Sequence, residues 1–236
     1  MSRFTHSLPL LLLLVLPLAS SAQGLGFGFR GDFALSKLTN VDSDDFGDEA
    51  DIKWQPTYQF NGLIRYDFER LFGLQAELFF AQRGVRLTEN YSEFGYTETY
   101  RIDEEYNYLG LSILPKLRFG TERFRATVTA GPYAAFMASG RWRETYEYCE
   151  DGFCEEGEYS FKFNDQAWDF YNRVDVGVTG GVGLEVGVGP GSFFFDARYN
   201  LGFLPVVEDD GLILEGEPRN QSMTFGLGYM LFPGLL

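Results

Sequence analysis

The sequence predicts an all-β fold: an eight-stranded antiparallel up-and-down transmembrane β-barrel with short periplasmic turns and long extracellular loops. Three observations predict it. Apolar residues recur at every second position from about residue 24 onward, the connections between such segments alternate between short and long, and the N-terminus reads as an export signal. Alternation alone fits a soluble sandwich equally well, because side chains on any strand point alternately to its two faces. The export signal and the loop asymmetry separate the two.

Residues 1–22 carry Arg3 and His6, then an apolar run from Leu8 to Leu18, then Ser20, Ser21 and Ala22 as a small-residue cleavage site. This is the layout of a secretory signal peptide. No other stretch approaches the roughly 20 apolar residues that a membrane-spanning helix requires, and no cysteine directly follows the signal to anchor a lipid. Residues 23–236 are therefore expected to be exported as one barrel domain, since no Pro- or Ser-rich linker divides them. An aromatic content of 17% and 28 glycines, without helical periodicity, favour strands and tight turns. A net charge of -15 excludes a simple nucleic-acid binder, which needs a basic face.

Eight segments alternate. Residues 24–36 set Leu25, Phe27, Phe29, Phe33 and Leu35 against Arg30 and Asp32. Residues 57–68 set Tyr58, Phe60, Ile64, Tyr66 and Phe68 against Gln59, Asn61, Arg65 and Asp67. Residues 73–85 set Leu74, Ala76, Leu78 and Phe80 against Gln75, Glu77 and Arg83, and residues 105–119 set Leu109, Leu111, Ile113, Leu117 and Phe119 against Tyr108, Ser112, Lys116 and Arg118. Residues 123–136 set Phe124, Ala126, Val128, Ala130 and Phe136 against Arg125, Thr127, Thr129 and Tyr133. Residues 172–186 carry alternate Val and Leu against Arg173, Asp175, Thr179 and Glu185, and residues 193–203 carry Phe193, Phe195, Ala197, Tyr199, Leu201 and Phe203 against Asp196, Arg198 and Asn200. The last segment, 221–232, sets Met223, Phe225, Leu227, Tyr229 and Leu231 against Ser222, Thr224, Gly226, Gly228 and Met230. Each is close to, or longer than, the ~9–11 residues that cross a bilayer as a tilted strand.

Short connections fall at 69–72, 120–122 and 187–191, and long ones at about 38–56, 87–104, 138–171 and 204–219. Bacterial outer-membrane barrels have this asymmetry, with the short turns periplasmic. The long connections hold most of the 34 acidic residues but only six of the basic ones, so the acidity belongs to the outward rim.

If the apolar face meets lipid, Arg30, Arg65, Arg83, Lys116, Arg118, Arg125, Arg173 and Arg198 point inward together with Asp32, Asp67, Glu77, Asp175, Glu185 and Asp196. Such charges persist in a low-dielectric space only when paired, and eight strands enclose just enough room for side chains. The expectation is a lumen filled by a charge network, which argues against a general diffusion pore.

These residues resemble a known group. The chain is similar to the small outer-membrane β-barrel proteins widespread in Bacteroidetes, the PorT-like group, and more distantly to the OmpX and OmpA barrels. The stretch from Val174 to Glu185 resembles that group's Gly-rich strand. The ending Thr224-Phe225-Gly226-Leu227-Gly228-Tyr229-Met230-Leu231 resembles the β-signal read by the barrel assembly machinery, although Leu231 stands where a terminal Phe is usual and five residues follow it. The resemblance implies residence in the Gram-negative outer membrane, biogenesis through the barrel assembly machinery, and contact with lipid and lipopolysaccharide. It implies architecture rather than one task, since members perform different ones.

Local motifs admit sharper readings. Gly26-Phe27-Gly28-Phe29-Arg30-Gly31 matches the dinucleotide fingerprint, but that fingerprint needs a strand before it and a helix after it, and here it alternates as a strand; no cofactor is expected. The glycines of 177–191 lack a following Gly-Lys-Ser/Thr, and are read as making room in the lumen and permitting a tight turn. Cys149 and Cys154 flank a turn sequence in an exported chain and are read as a disulfide closing a loop tip; the rival, a zinc site, wants more Cys or His ligands. The clusters Asp42-Ser43-Asp44-Asp45, Glu155-Glu156-Gly157-Glu158 and Glu208-Asp209-Asp210 are read as solvated anionic loops, bridged to lipopolysaccharide by divalent ions, and none has EF-hand spacing. The aromatics Tyr91, Phe94, Tyr96, Tyr100, Tyr146 and Tyr148 are read as girdle residues or as hairpin pairs extending the strands, with a binding surface as the alternative.

Catalysis is not expected. The one histidine, His6, leaves with the signal, so no base is evident to activate a nucleophile. Two functions remain: a structural or adhesive barrel whose acidic, aromatic loops meet extracellular partners, or an accessory barrel of an envelope secretion or assembly machinery. A small-solute pore is a weaker third.

Overall fold

The computed structural model describes residues 24–41, 51–68, 70–93, 96–150, 153–163, 171–207 and 216–235. The signal segment and the clusters at 42–45 and 208–210 lie outside the described residues. Ten strands form one antiparallel sheet: β1 (Leu25–Val41), β2 (Asp51–Lys53), β3 (Gln55–Asp67), β4 (Phe72–Glu93), β5 (Tyr96–Gly120), β6 (Phe124–Glu150), β7 (Phe153–Lys162), β8 (Val174–Val188), β9 (Gly191–Pro205) and β10 (Gly216–Leu231). Eight of them close a ring in the order β1-β3-β4-β5-β6-β8-β9-β10, with β10 paired back to β1 from Phe27↔Leu231 to Val41↔Gly216. Closure leaves no sheet edge inside the ring, so backbone groups there are paired without water. β2 adds to β4, and β7 adds to β6.

Burial is inverted relative to a soluble barrel. Along β3, Gln59, Asn61 and Arg65 are 8%, 4% and 0% exposed, whereas Phe60 and Ile64 between them are 59% and 51% exposed. The outward apolar rows, such as Phe29 and Phe33 on β1 or Leu109, Leu111 and Ile113 on β5, have lipid as their natural solvent. The four charged segments of the N-terminal half and the four of the C-terminal half thus face one shared interior. The dinucleotide-like run Gly26 to Gly31 lies wholly within β1.

Three tight connections gather at one end. Gly120 and Gly189 take φ of 127° and 60°, which L side chains adopt only under strain, so glycine suits these turns. At the other end β4 and β5 run on together until Glu93 pairs with Tyr96, and β6 continues until Glu150 pairs with Phe153 of β7. The connections expected at 87–104 and 138–171 as loops are therefore largely strand. Their Tyr, Thr and Glu residues pair across strands, and aromatic and β-branched cross-strand pairs stabilise such ribbons. The result is a projecting sheet of β4, β5, β6 and β7.

The inward face is not uniformly polar. Phe79, Tyr106, Tyr108, Tyr133, Met137, Tyr171 and Val206 belong to one buried cluster towards the projecting end, and Leu63, Phe194, Met230 and Phe232 form another at the turn end. Met230, expected among small and polar neighbours, is fully buried here. β10 ends at Leu231, and Phe232 folds inward beneath the Arg65 guanidinium, 4.9 Å from its ring centre.

Candidate functional site

Inward-facing charges form a three-tier network. In the middle tier Arg198 of β9 reaches Glu77 of β4 at 2.8 Å and Asp196 at 2.7 Å, and Gln75 donates to Glu77 at 2.6 Å. Arg30 pairs with Asp32 at 2.8 Å, and Asn61 donates to the same carboxylate at 2.7 Å. The turn-end tier joins Lys116 to Glu185 at 2.7 Å, Arg118 to Asp67 at 2.6 Å and Arg65 to both acids. In the third tier Arg83 pairs with Asp175, and Tyr133 donates to Asp175 at 3.1 Å. The Arg83 guanidinium also lies over the rings of Tyr133 and Tyr108, at 4.9 and 5.3 Å.

Six bases (Arg30, Arg65, Arg83, Lys116, Arg118, Arg198) thus meet six acids (Asp32, Asp67, Glu77, Asp175, Glu185, Asp196) in the lumen. Arg125 and Arg173 stand apart from it. Arg125 donates to the Thr121 carbonyl at 3.2 Å and lines the turn-end opening. Arg173 precedes β8, donates to the Met137 carbonyl at 3.3 Å and sits 4.4 Å from the Phe136 ring centre. Parity assigned both to the inner face; their depth places them at its ends. The space left among Arg30, Glu77, Arg83, Tyr133 and Arg198 is about 10 Å³, no more than one water needs. At the turn end a wider opening of about 610 Å³ is lined by Arg118, Arg125, Glu185, Ser192 and Phe232.

Glu104 is a site residue that sequence reasoning assigned to the acidic rim. It is 4% exposed, beyond the outward apolar row that ends at Leu109, and its carboxylate accepts hydrogen bonds from Tyr106 and, at 3.3 Å, from Tyr171. Burial without a cationic neighbour pushes its pKa above the ordinary carboxylate value. Glu104 shares the inward parity of Tyr108 and Ser112, and Glu105 the outward parity of Leu109, so parity carried past residue 105 could have found it.

The projecting sheet carries Tyr91, Tyr96, Tyr100, Tyr146 and Tyr148 and the acidic run Glu155 to Glu158, whereas Phe94 lies outside the described residues. Cys149 and Cys154 are directly opposite in register and disulfide-bonded near the tip of the β6–β7 hairpin. Tyr91, Tyr96 and Tyr148 form a chain of ring contacts at 5.7 and 5.8 Å, and Tyr146 stacks on Tyr159 at 6.1 Å. Tyr100 donates to Glu98 at 2.5 Å, which pushes its phenol pKa up to about 12. Glu155, Glu156 and Glu158 lie on β7, where successive side chains alternate between the two faces. Among the described residues the one grouping of three possible metal ligands is Glu147, Cys149 and Cys154, and its two sulfurs are bonded to each other.

The sequence profile of a family described as "Outer membrane protein beta-barrel domain" matches residues 19–208. No curated protein matches the chain. Among solved structures, Ail, the attachment invasion locus protein of Yersinia pestis, is 18% identical with a TM-score of 0.39, the match covering 89% of this chain and 99% of that one. The outer membrane protease OmpT from Escherichia coli is 8% identical, with a TM-score of 0.44 and coverage of 89% and 97%. Neisserial surface protein A is 10% identical, with a TM-score of 0.37 and coverage of 87% and 96%. At such identities and scores these likenesses carry no functional argument.

Proposed function

The chain belongs to the outer membrane protein beta-barrel domain family and resides in the outer membrane, and on that premise we propose that it is a non-enzymatic barrel that displays its projecting sheet to an extracellular partner. The observation that carries this reading is the filled lumen beneath an ordered, exposed sheet. A barrel braced across its interior by paired charges offers no route for solutes and holds its hairpins at fixed positions. Disulfide closure of the tip and the ring contacts on the sheet supply preorganisation, which lowers the entropic cost of binding. Catalysis finds no support in the absence of a histidine beyond residue 6.

The test compares the intact protein with a form whose hairpins are cut back to the Leu87↔Ile102 and Trp142↔Phe161 pairs, the ring being retained. Affinity capture from extracellular fractions should yield a partner with the intact protein and lose it with the shortened form. An unchanged set of captured partners would sink the display reading.

A second reading makes the barrel an accessory of an envelope secretion or assembly machinery, as the PorT-like resemblance implies. It is supported by the turn-end opening, where Arg118, Arg125 and Glu185 line a cavity of about 610 Å³ within reach of periplasmic partners. Cross-linking in intact envelopes from positions 70 and 125 should then recover a machinery component; recovery of none counts against it.

A further inference from the structure

We propose that the lumen-side face of the projecting sheet is a binding platform for an extended cationic peptide segment, an inference that rests on the display reading and names its partner class. Strand register puts Tyr91, Glu98, Tyr148 and Glu155 in one row across the sheet, and Glu89, Tyr100, Tyr146 and Gly157 in the next. Glu144 and Tyr159 stand opposite each other in the row below. Aromatic rings and carboxylates are thus interspersed over one face. Among the described residues, no lysine or arginine shares that face in the projecting stretches.

The opposite face of the same four strands differs. Its bases are Arg86, Arg101, Arg141, Arg143 and Lys162, and its acids are Asp103, Glu105, Glu147, Glu156 and Glu158, five of each. Arg86 pairs with Asp103 at 2.5 Å and Arg143 with Glu158 at 3.4 Å. General acidity for solubility would charge both faces alike, whereas here only one lacks counter-charges. On the lumen-side face Glu98 stands between Tyr91 and Tyr148, and Glu144 between Ile102 and Tyr159, so neither has a base as its cross-strand neighbour and a bound cation would supply the counter-charge. Segments 42–50, 164–170 and 208–215 of the sequence contain no lysine or arginine that could serve as that cation.

The face selects among cations. Calcium needs about six to eight converging oxygens, and no three carboxylates of this face converge on one point among the described residues. Rings set between carboxylates instead suit guanidinium or ammonium groups, which a π face attracts as well as a negative charge does. Same-face residues on a strand repeat every ~6.7 Å, as do alternate residues of an extended peptide. Arginines at every second position would therefore meet successive rings and carboxylates. Gly157 helps to shape the platform: a Cβ there would collide with the Tyr146 ring, which lies across the space the glycine leaves open.

The test uses full-length protein in nanodiscs and a fluorescent ten-residue peptide of alternating arginine and serine, read by anisotropy. The intact protein should bind it and should not bind a glutamate–serine counterpart. The pair E98Q/E144Q should weaken binding about tenfold and Y146L about threefold, from lost ion pairing and lost cation–π attraction. The pair E147Q/E156Q removes the same charge from the other face and should leave binding within about twofold. Absence of peptide binding to intact protein, or equal losses from the two glutamine pairs in folded protein, would overturn the inference. Loss of binding on hairpin shortening without sensitivity to E98Q/E144Q would overturn this inference alone. Retention of binding by the shortened protein would overturn it together with the display reading.

Discussion

Arg198 and Glu77 meet at 2.8 Å although their strands, β9 and β4, stand four places apart in a ring of eight. Their ion pair is a strut across the full width of the barrel. Arg65 on β3 and Glu185 on β8 form a second strut between strands that are also four places apart. Such pairs couple opposite walls, so the stability of the barrel should be sensitive to single charge removals in its interior.

Glu77→Leu should destabilise the barrel by about 3–5 kcal/mol, because it leaves Arg198 and Arg30 buried with too little counter-charge. The double variant Glu77→Leu/Arg198→Met should recover much of that loss. Urea unfolding in lipid vesicles checks both, and a double variant no more stable than the single one would contradict the strut.

Gly226 on β10 faces the same tier, and a Cβ at that position would overlap the Asp32 carboxylate. Gly226→Ala should therefore displace the Arg30–Asp32 pair and cost about 1–3 kcal/mol, measured in the same unfolding experiment. No change in stability would mean that the tier tolerates a shift that its packing implies it resists.

Glu104 links stability to pH. Its pKa is raised in the folded state by burial, so the folded protein holds the proton more tightly than the unfolded chain does. The contribution to stability is full below the ordinary carboxylate range and is lost as pH rises through the raised value. Glu104→Gln should flatten that part of the stability profile. A slope that persists in the variant would place its origin elsewhere.

The Cys149–Cys154 bond closes a short loop at the hairpin tip, away from the ring. Short loops restrict the unfolded chain least, so Cys149→Ser/Cys154→Ser should leave barrel unfolding unchanged within about 0.5 kcal/mol while exposing the tip to proteolysis. Equal protease resistance with and without the bond would show that register alone holds the tip.

The ring was legible because outward apolar residues such as Phe60 and Phe195 recur at every second position across the lipid band, with polar residues such as Asn61 and Asp196 between many of them, and because short and long connections alternate with the strands. Depth was not legible. Arg125 and Arg173 have the parity of the lumen but lie at its ends, while Glu104, counted with the rim, is buried. The projecting sheet was under-read for a related reason: beyond Leu109 the outward positions Asn107, Glu105 and Asp103 turn polar, so apolar alternation stops although the strand does not. Inward apolar residues such as Phe79 and Met230 share parity with the charges, and a pattern of faces cannot show that they gather into separate layers.

The central claim is that the barrel is a filled support and that its function is exercised at the projecting sheet. Planar-bilayer recording with purified, folded protein tests this most directly. The paired lumen predicts a baseline without steady conductance steps; large, reproducible steps from the intact protein would contradict it and return the function to the interior.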